Sequence, residues 1–227
     1  MRSTKKYTVI TGASSGIGYE TAKAFAERGK NLIVAARRKS KLERLKHEIL
    51  ERHPTLDVVI RTVDLSALEG AYQFYSGLKD FQLETWVNNA GFGNYDSVAH
   101  QALEKIDTML RLNIEAITIL SSLFVRDYKD VSGTQLINLS SCGGYTIVPT
   151  AVTYCATKFY VSTFTEGLAW ELIESGAGMR AKVLAPAAAQ TEFGKKANNV
   201  EQYDYDIIEH YTHIDINFWR DEICKIK

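Results

Sequence analysis

The chain has no hydrophobic run long enough to read as a membrane span: its longest nearly apolar stretch, ITILSSLFV, is far too short to cross a bilayer. The basic start MRSTKK leads into TVITGASS rather than into a signal-peptide core. Cysteine is scarce. Cys142, Cys155 and Cys224 are odd in number and lack metal-type spacing, which argues against a disulfide framework and for reduced thiols in the cytoplasm. Charge of one sign is missing too, with 27 Lys+Arg against 27 Asp+Glu and no basic tract, so neither nucleic acid nor an anionic membrane surface is an expected partner. No internal repeat or low-complexity segment is visible. His210 and His213 have no further ligand set around them, so no metal is expected.

What is present is a chain of 227 residues, 45% hydrophobic, which suits one domain spanning 1–227 with a sizeable core. Apolar β-type runs alternate with helical patterns. Strands are expected near KYTVIT, NLIVAA, DVVIRTV, ETWVNN, TQLINLS and MRAKVLA. Helices are expected over Ile17–Gly29, Lys39–Arg52, Leu68–Lys79, Leu103–Asp127 and Ala151–Glu174. Six β-α units of this kind predict an α/β fold, a doubly wound parallel sheet of Rossmann type with the carboxyl ends of its strands along one edge. After Gly194 the rhythm fails, leaving residues from about 187 to 227 as a lid and an atypical tail with only weak alternation at Ile214, Ile216 and Phe218.

The stretch TGASSGIG, Thr11 to Gly18, sits where the first strand becomes the first helix. Glycines there permit backbone conformations closed to other residues and close approach of a ligand, while the first-turn N–H groups face an anion. The spacing is G-x-x-x-G-x-G rather than G-x-G-x-x-G, so the turn reads either as a phosphate cradle or as a tight loop with a good cap.

Its companions carry the argument further. Asn88-Asn89-Ala90-Gly91 ends the fourth strand, Asn113 lies in the next helical region, Ser140-Ser141 ends the fifth strand, and Tyr154 and Lys158 stand four apart on a helix. In this order the set resembles the short-chain dehydrogenase/reductase family, over about Lys5 to Phe193. The resemblance implies hydride transfer between a nicotinamide cofactor and a small-molecule carbonyl or alcohol, with Asn113, Ser141, Tyr154 and Lys158 as catalytic residues. Tyr154 would be the general acid/base. Residues four apart share a helix face, so the Lys158 ammonium is expected to favour the ionised phenol and lower its pKa. Ser141, thirteen residues before Tyr154 at the family's usual separation, would hold the substrate oxygen in preference to Ser140. Lys158 would also hold the nicotinamide ribose, and Asn113 a proton-relaying water chain.

The same resemblance implies cofactor contacts from Gly12, Ser14, Ser15, Gly16, Ile17 and Gly18, from Asp64, Leu65, Asn89, Ala90 and Gly91, and from Tyr154, Lys158, Pro186, Ala187, Ala189 and Thr191. The second strand ends Ala35-Ala36-Arg37-Arg38, with no carboxylate where a ribose 2′-hydroxyl would want one. Arg37, with Arg38 beside it, either receives a 2′-phosphate or is half of a solvated pair; the first reading favours NADP(H) over NAD(H). Asp64 reads as an adenine-contacting acid or as a helix-start residue near Ser66. Ala187 replaces a family glycine after Pro186, which would matter if that position needed positive φ. Phe92, Tyr95, Tyr145, Val148 and Phe193 could wall an apolar substrate pocket. The family's glycine-containing ending and last strand are not recognisable in the tail, while the long helices could still make a homodimer or homotetramer contact. The competing expectation is a nucleotide-binding regulatory protein that keeps the site without turnover.

Overall fold

A computed structural model describes residues 5–187 and 192–198. Six strands form one sheet: β1 (Lys6–Thr11), β2 (Asn31–Ala36), β3 (Val58–Thr62), β4 (Gln82–Asn88), β5 (Gln135–Leu139) and β6 (Arg180–Leu184). Their order is β3-β2-β1-β4-β5-β6, and every pair is parallel. The chain moves outward from β1 to β3, then crosses back to place β4 on the other side of β1. That reversal opens a crevice at the carboxyl ends of β1 and β4, where doubly wound sheets bind ligands.

Both faces of the sheet are covered, so its strands are apolar throughout rather than alternating. Side chains of one strand still divide between the two faces. Tyr7 and Val9 of β1 enter a core with Trp86, Leu120, Phe124 and Leu172, beneath α3 (Gly70–Ser76), α5 (Ala116–Tyr128) and α6 (Val152–Glu174). Ile10 enters the opposite core with Ala22, Leu32, Leu42 and Leu45, beneath α1 (Gly16–Glu27) and α2 (Lys39–Arg52).

Three elements differ from the sequence expectation. The third helix is shorter, because successive turns bonded Ala67 N–H to Asp64 and Gly70 N–H to Ala67 occupy its expected start and Leu68 stays exposed. The long fourth helix divides into α4 (Leu103–Leu110), one π turn (Arg111–Glu115) and α5, a break that apolar periodicity does not encode. By length and composition alone, Leu103–Tyr128 taken as one stretch is long and apolar enough to cross a membrane, although the apolar run within it is short. Its Met109, Asn113, Ile117, Leu120 and Phe124 side chains are buried within the fold. The third difference is α7 (Glu192–Asn198), a helix in a stretch read only as lid. Its Ala197 carbonyl accepts the Tyr95 amide at 2.8 Å, which docks it on the loop after β4.

Candidate active site

At the β1–α1 turn Gly12 and Gly16 have φ of 68° and 58°, left-handed conformations that side-chain-bearing residues avoid. Space is the second constraint. A β-carbon on Gly12 would lie 2.7 Å from the Asn89 side-chain nitrogen and 2.8 Å from the Ala90 Cα, and one on Gly18 would strike the Asn89 amide and the Gly12 carbonyl. The turn is thus pressed against the loop after β4. Thr11 fastens the two: its hydroxyl accepts the Asn89 and Ala90 amides, each at 3.0 Å, while Asn89 Nδ2 donates to the Thr11 carbonyl at 2.8 Å. α1 begins on extended Ser15, whose side chain makes no capping bond, and has no acidic residue in its first turn. Positive-φ glycines, uncapped first-turn amides and an unopposed helix dipole are what a dinucleotide's phosphates require, so these residues fit such a group.

The two arginines after β2 part company. Arg37 is 65% exposed, with Nη1 at 3.8 Å from Asp64. Arg38 turns back over the glycine turn: Nη2 donates to Ser14 Oγ at 3.0 Å and to Ser15 Oγ at 2.6 Å, while Nη1 donates to Glu192 at 3.0 Å. Of the pair in which sequence resemblance favoured Arg37 for a 2′-phosphate, Arg38 is the guanidinium seated on the turn. Asp64 accepts the Ser66 amide and hydroxyl at 3.0 and 2.6 Å, closing a local turn ahead of α3 rather than starting a helix. Burial pushes its carboxyl up, but the Ser66 hydroxyl and amide and then Arg37 outweigh this and hold it below the ordinary carboxylate value. Leu65 is buried in the core and Ile17 packs against the other one.

At the carboxyl ends of β4 and β5 the other residues converge. Lys158 and Tyr154 share one face of α6, with the Lys158 Nζ at 5.8 Å from the Tyr154 ring centre and donating to the Leu139 carbonyl at 2.9 Å. Burial, which disfavours the charged amine, lowers Lys158 to about 8. The phenol does not behave as the sequence argument expected. Burial pushes Tyr154 well above its ordinary value, opposed by a hydrogen bond with Ser141, and the nearby Cys142 and Cys155 thiols add to the rise. Burial dominates because the phenol is only 6% exposed, beneath two aromatic rings.

The adjacent serines have different surroundings. Ser140 is buried and its hydroxyl is engaged by the Lys158 carbonyl at 2.9 Å and by Ser162 at 2.7 Å. Ser141 accepts the Gly143 amide at 3.1 Å and faces Tyr154. Asn113, carried inward by the π turn, is fully buried; its Nδ2 donates to the Phe92 carbonyl at 2.9 Å and to Thr157 at 3.1 Å. Gly91 lies where a β-carbon would come within 3.1 Å of Asn113 Oδ1 and 3.6 Å of Lys158 Nζ.

Over Tyr154 lie Tyr95 and Phe193, with ring centres 5.6 and 5.4 Å away. Phe92 joins them, together with Met109, which sequence reasoning did not single out. Tyr145 is exposed and bonds Glu166, and Val148 is exposed as well. Pro186 accepts the Cys142 amide at 2.8 Å, tying the exits of β5 and β6 together. Thr150, with φ of 64°, is the only described non-glycine residue at positive φ, so Ala187 needs no glycine conformation. Ala189, Thr191, the side chains of Lys195 and Lys196, and His210, His213 and Cys224 lie outside the described residues. Thr11, Thr157 and Glu192 were also missed, since their partners are 44 or more positions away in sequence and only their polarity in apolar company hints at a role.

A family model described as short chain dehydrogenase matches residues 6–202. An uncharacterized oxidoreductase of Staphylococcus saprophyticus is 32% identical over 193 residues, covering 82% of this chain and 75% of that protein. Among solved structures, a short-chain dehydrogenase from Sphingobium yanoikuyae in complex with NADPH superposes with a TM-score of 0.85 at 27% identity, covering 95% of this chain and 82% of that one. A bulky-bulky ketone specific alcohol dehydrogenase from Comamonas testosteroni gives 0.80 at 27% identity, covering 95% and 79%.

Proposed function

The chain belongs to the short-chain dehydrogenase/reductase family, and from that premise we propose that it is an NADP(H)-dependent oxidoreductase acting on ketones or secondary alcohols with apolar flanking groups. The supporting observation is the convergence of Tyr154, Lys158 and Ser141 at the strand ends beside the glycine turn. When bound, the nicotinamide supplies or accepts the hydride at carbon. Ser141 Oγ donates to the substrate oxygen and fixes its position. The Tyr154 hydroxyl delivers the proton to that oxygen in reduction and takes it back in oxidation. Lys158, still largely protonated at pH 7, holds the phenol and the cofactor ribose. Asn113 maintains the buried polar floor beneath the lysine.

Arg38, with Arg37, is assigned to the 2′-phosphate, which favours NADP(H); the relative from Sphingobium is described with NADPH. The aromatic cover over Tyr154 favours apolar substrates, and the relative from Comamonas is described as specific for bulky ketones. We assign the chain to the cytoplasm, where Cys142 and Cys155 would remain the free thiols seen here. Exposed Phe159, Tyr160, Trp170 and Ile173 on α6 support a homodimer or homotetramer built through that helix, within a single domain that carries both sites.

NADPH oxidation with a panel of aryl and bulky aliphatic ketones tests this reading. Ser141→Ala and Tyr154→Phe are expected to remove most turnover, with NADPH Kd changed by less than about threefold. Turnover by Tyr154→Phe within tenfold of wild type overturns the assignment of the proton.

A further inference from the structure

Two consecutive residues of α7 touch the two halves of the site. Glu192 pairs with Arg38 at 3.0 Å, and Phe193 lies on the Tyr154 ring at 5.4 Å. Arg38 in turn spans the Ser14 and Ser15 hydroxyls of the glycine turn, so one guanidinium joins the phosphate cradle to the helix that covers the catalytic phenol. Its ion pair is half-open to solvent, with side chains 38% and 44% exposed, an arrangement an incoming dianion can displace.

Resting on the reading that Arg38 receives the cofactor's 2′-phosphate, we propose that Glu192 is a cofactor-selectivity residue: its carboxylate competes with that phosphate for Arg38, and their exchange releases α7 from above Tyr154. The charges require an exchange. A carboxylate at 3.0 Å from the guanidinium occupies one donor edge, and leaving it there beside a 2′-phosphate places like charges together. A nucleotide with a free 2′-hydroxyl brings no dianion and leaves the Arg38–Glu192 pair in place. The selectivity for NADP(H) over NAD(H) is therefore lower than Arg38 alone would give. The pair also links phosphate recognition to the substrate side, because Arg38 holds the first residue of α7 next to Phe193, and its loss leaves the Tyr95–Ala197 amide bond as the helix's backbone tether to the loop after β4.

Nucleotide-stripped protein gives the test. Calorimetric titration of Glu192→Gln is expected to show NADPH binding about fivefold tighter than wild type, with NADH unchanged within twofold. In wild type, 2′,5′-ADP, which has no nicotinamide to order the lid, is expected to speed amide exchange over residues 193–198 at least threefold, whereas 5′-ADP does not. In Arg38→Gln, NADPH preference falls at least tenfold and adding Glu192→Gln changes nothing further. If Glu192→Gln leaves NADPH affinity unchanged while Arg38→Gln still weakens it, the competition is refuted and the phosphate reading stands. If Arg38→Gln leaves the NADPH to NADH ratio intact, the phosphate reading of Arg38 fails and the competition with it.

Discussion

Two buried tyrosines sit at opposite edges of the same sheet. Tyr75, on α3 at the amino edge, is 8% exposed, and Tyr154, on α6 at the carboxyl edge, is 6% exposed. Burial is the main cause that pushes each phenol above its ordinary value. A cavity of about 710 Å3 opens beside Tyr75, lined also by Lys6, Leu83, Asp127 and Thr134. Burial and direction of shift do not separate the two, and by cavity alone the amino edge has the better claim to be a reaction site.

The partners decide otherwise. Tyr75 donates to Asp127 at 2.8 Å and to the Leu123 carbonyl at 3.1 Å, two acceptors that hold its proton and oppose its loss. Tyr154 has a serine hydroxyl and a lysine amine for company, groups that can follow a change in its charge. A shifted pKa therefore marks a site only when the neighbours can respond to ionisation, and the topological crevice lies at the Tyr154 edge.

The comparison breaks most visibly in turnover. Tyr154→Phe is expected to lower kcat by about 10²–10⁴-fold, while Tyr75→Phe stays within twofold of wild type in the same ketone assay. A large kcat loss in Tyr75→Phe would show that the two edges are coupled.

Stability at pH 7 should move in opposite directions at the two edges. Lys158→Met is expected to gain about 2 kcal/mol, read from urea unfolding, because the native chain keeps a buried amine whose charged form is disfavoured. The sign follows from linkage: with a folded value of about 8 against an ordinary 10.5, the penalty is fully present below pH 8 and fades as pH rises toward 10.5. The advantage of Lys158→Met should fade over that same window, and a constant difference would contradict burial as the cause. Tyr75→Phe, by contrast, should lose about 1.5–2 kcal/mol in the same measurement, since it removes a hydrogen bond to a carboxylate.

Asp64, exposed and near the carboxyl edge, calibrates the smallest effect. Its folded value lies below the ordinary 3.8, so its contribution is present above about pH 4 and lost as pH falls through the folded value. Thermal melts of wild type and Asp64→Asn should differ by a degree or two at pH 7 and converge as the pH falls through the folded value. A gap that widens in acid would reverse the sign.

Much of this was readable in particular residues. The runs KYTVIT, NLIVAA and TQLINLS are apolar on both faces, as a sheet covered on both sides demands, and they became β1, β2 and β5 with ends shifted by no more than a residue. Tyr154 and Lys158 were legible because four-residue spacing fixes a shared helix face. Asn113 could be named from the sequence, but the π turn that turns it inward could not, since one inserted residue in the hydrogen-bond ladder leaves no compositional trace. The direction of the Tyr154 shift was misjudged for a related reason: Tyr95 and Phe193, which enclose the phenol, lie 59 and 39 positions from it in the chain.

By itself the sequence determined the alternation of strands and helices, the glycine turn, and the identity of the groups that meet at one edge of the sheet, because local periodicity and steric permission are properties of neighbouring residues. Only the tertiary structure decided that Arg38 rather than Arg37 lies over the turn, that Glu192 holds it there, that Ser140 is spent in packing while Ser141 faces the phenol, and that burial raises the Tyr154 phenol. Those outcomes depend on distances and solvent exclusion between segments far apart in the chain, and such quantities exist only once the sheet has brought the segments together.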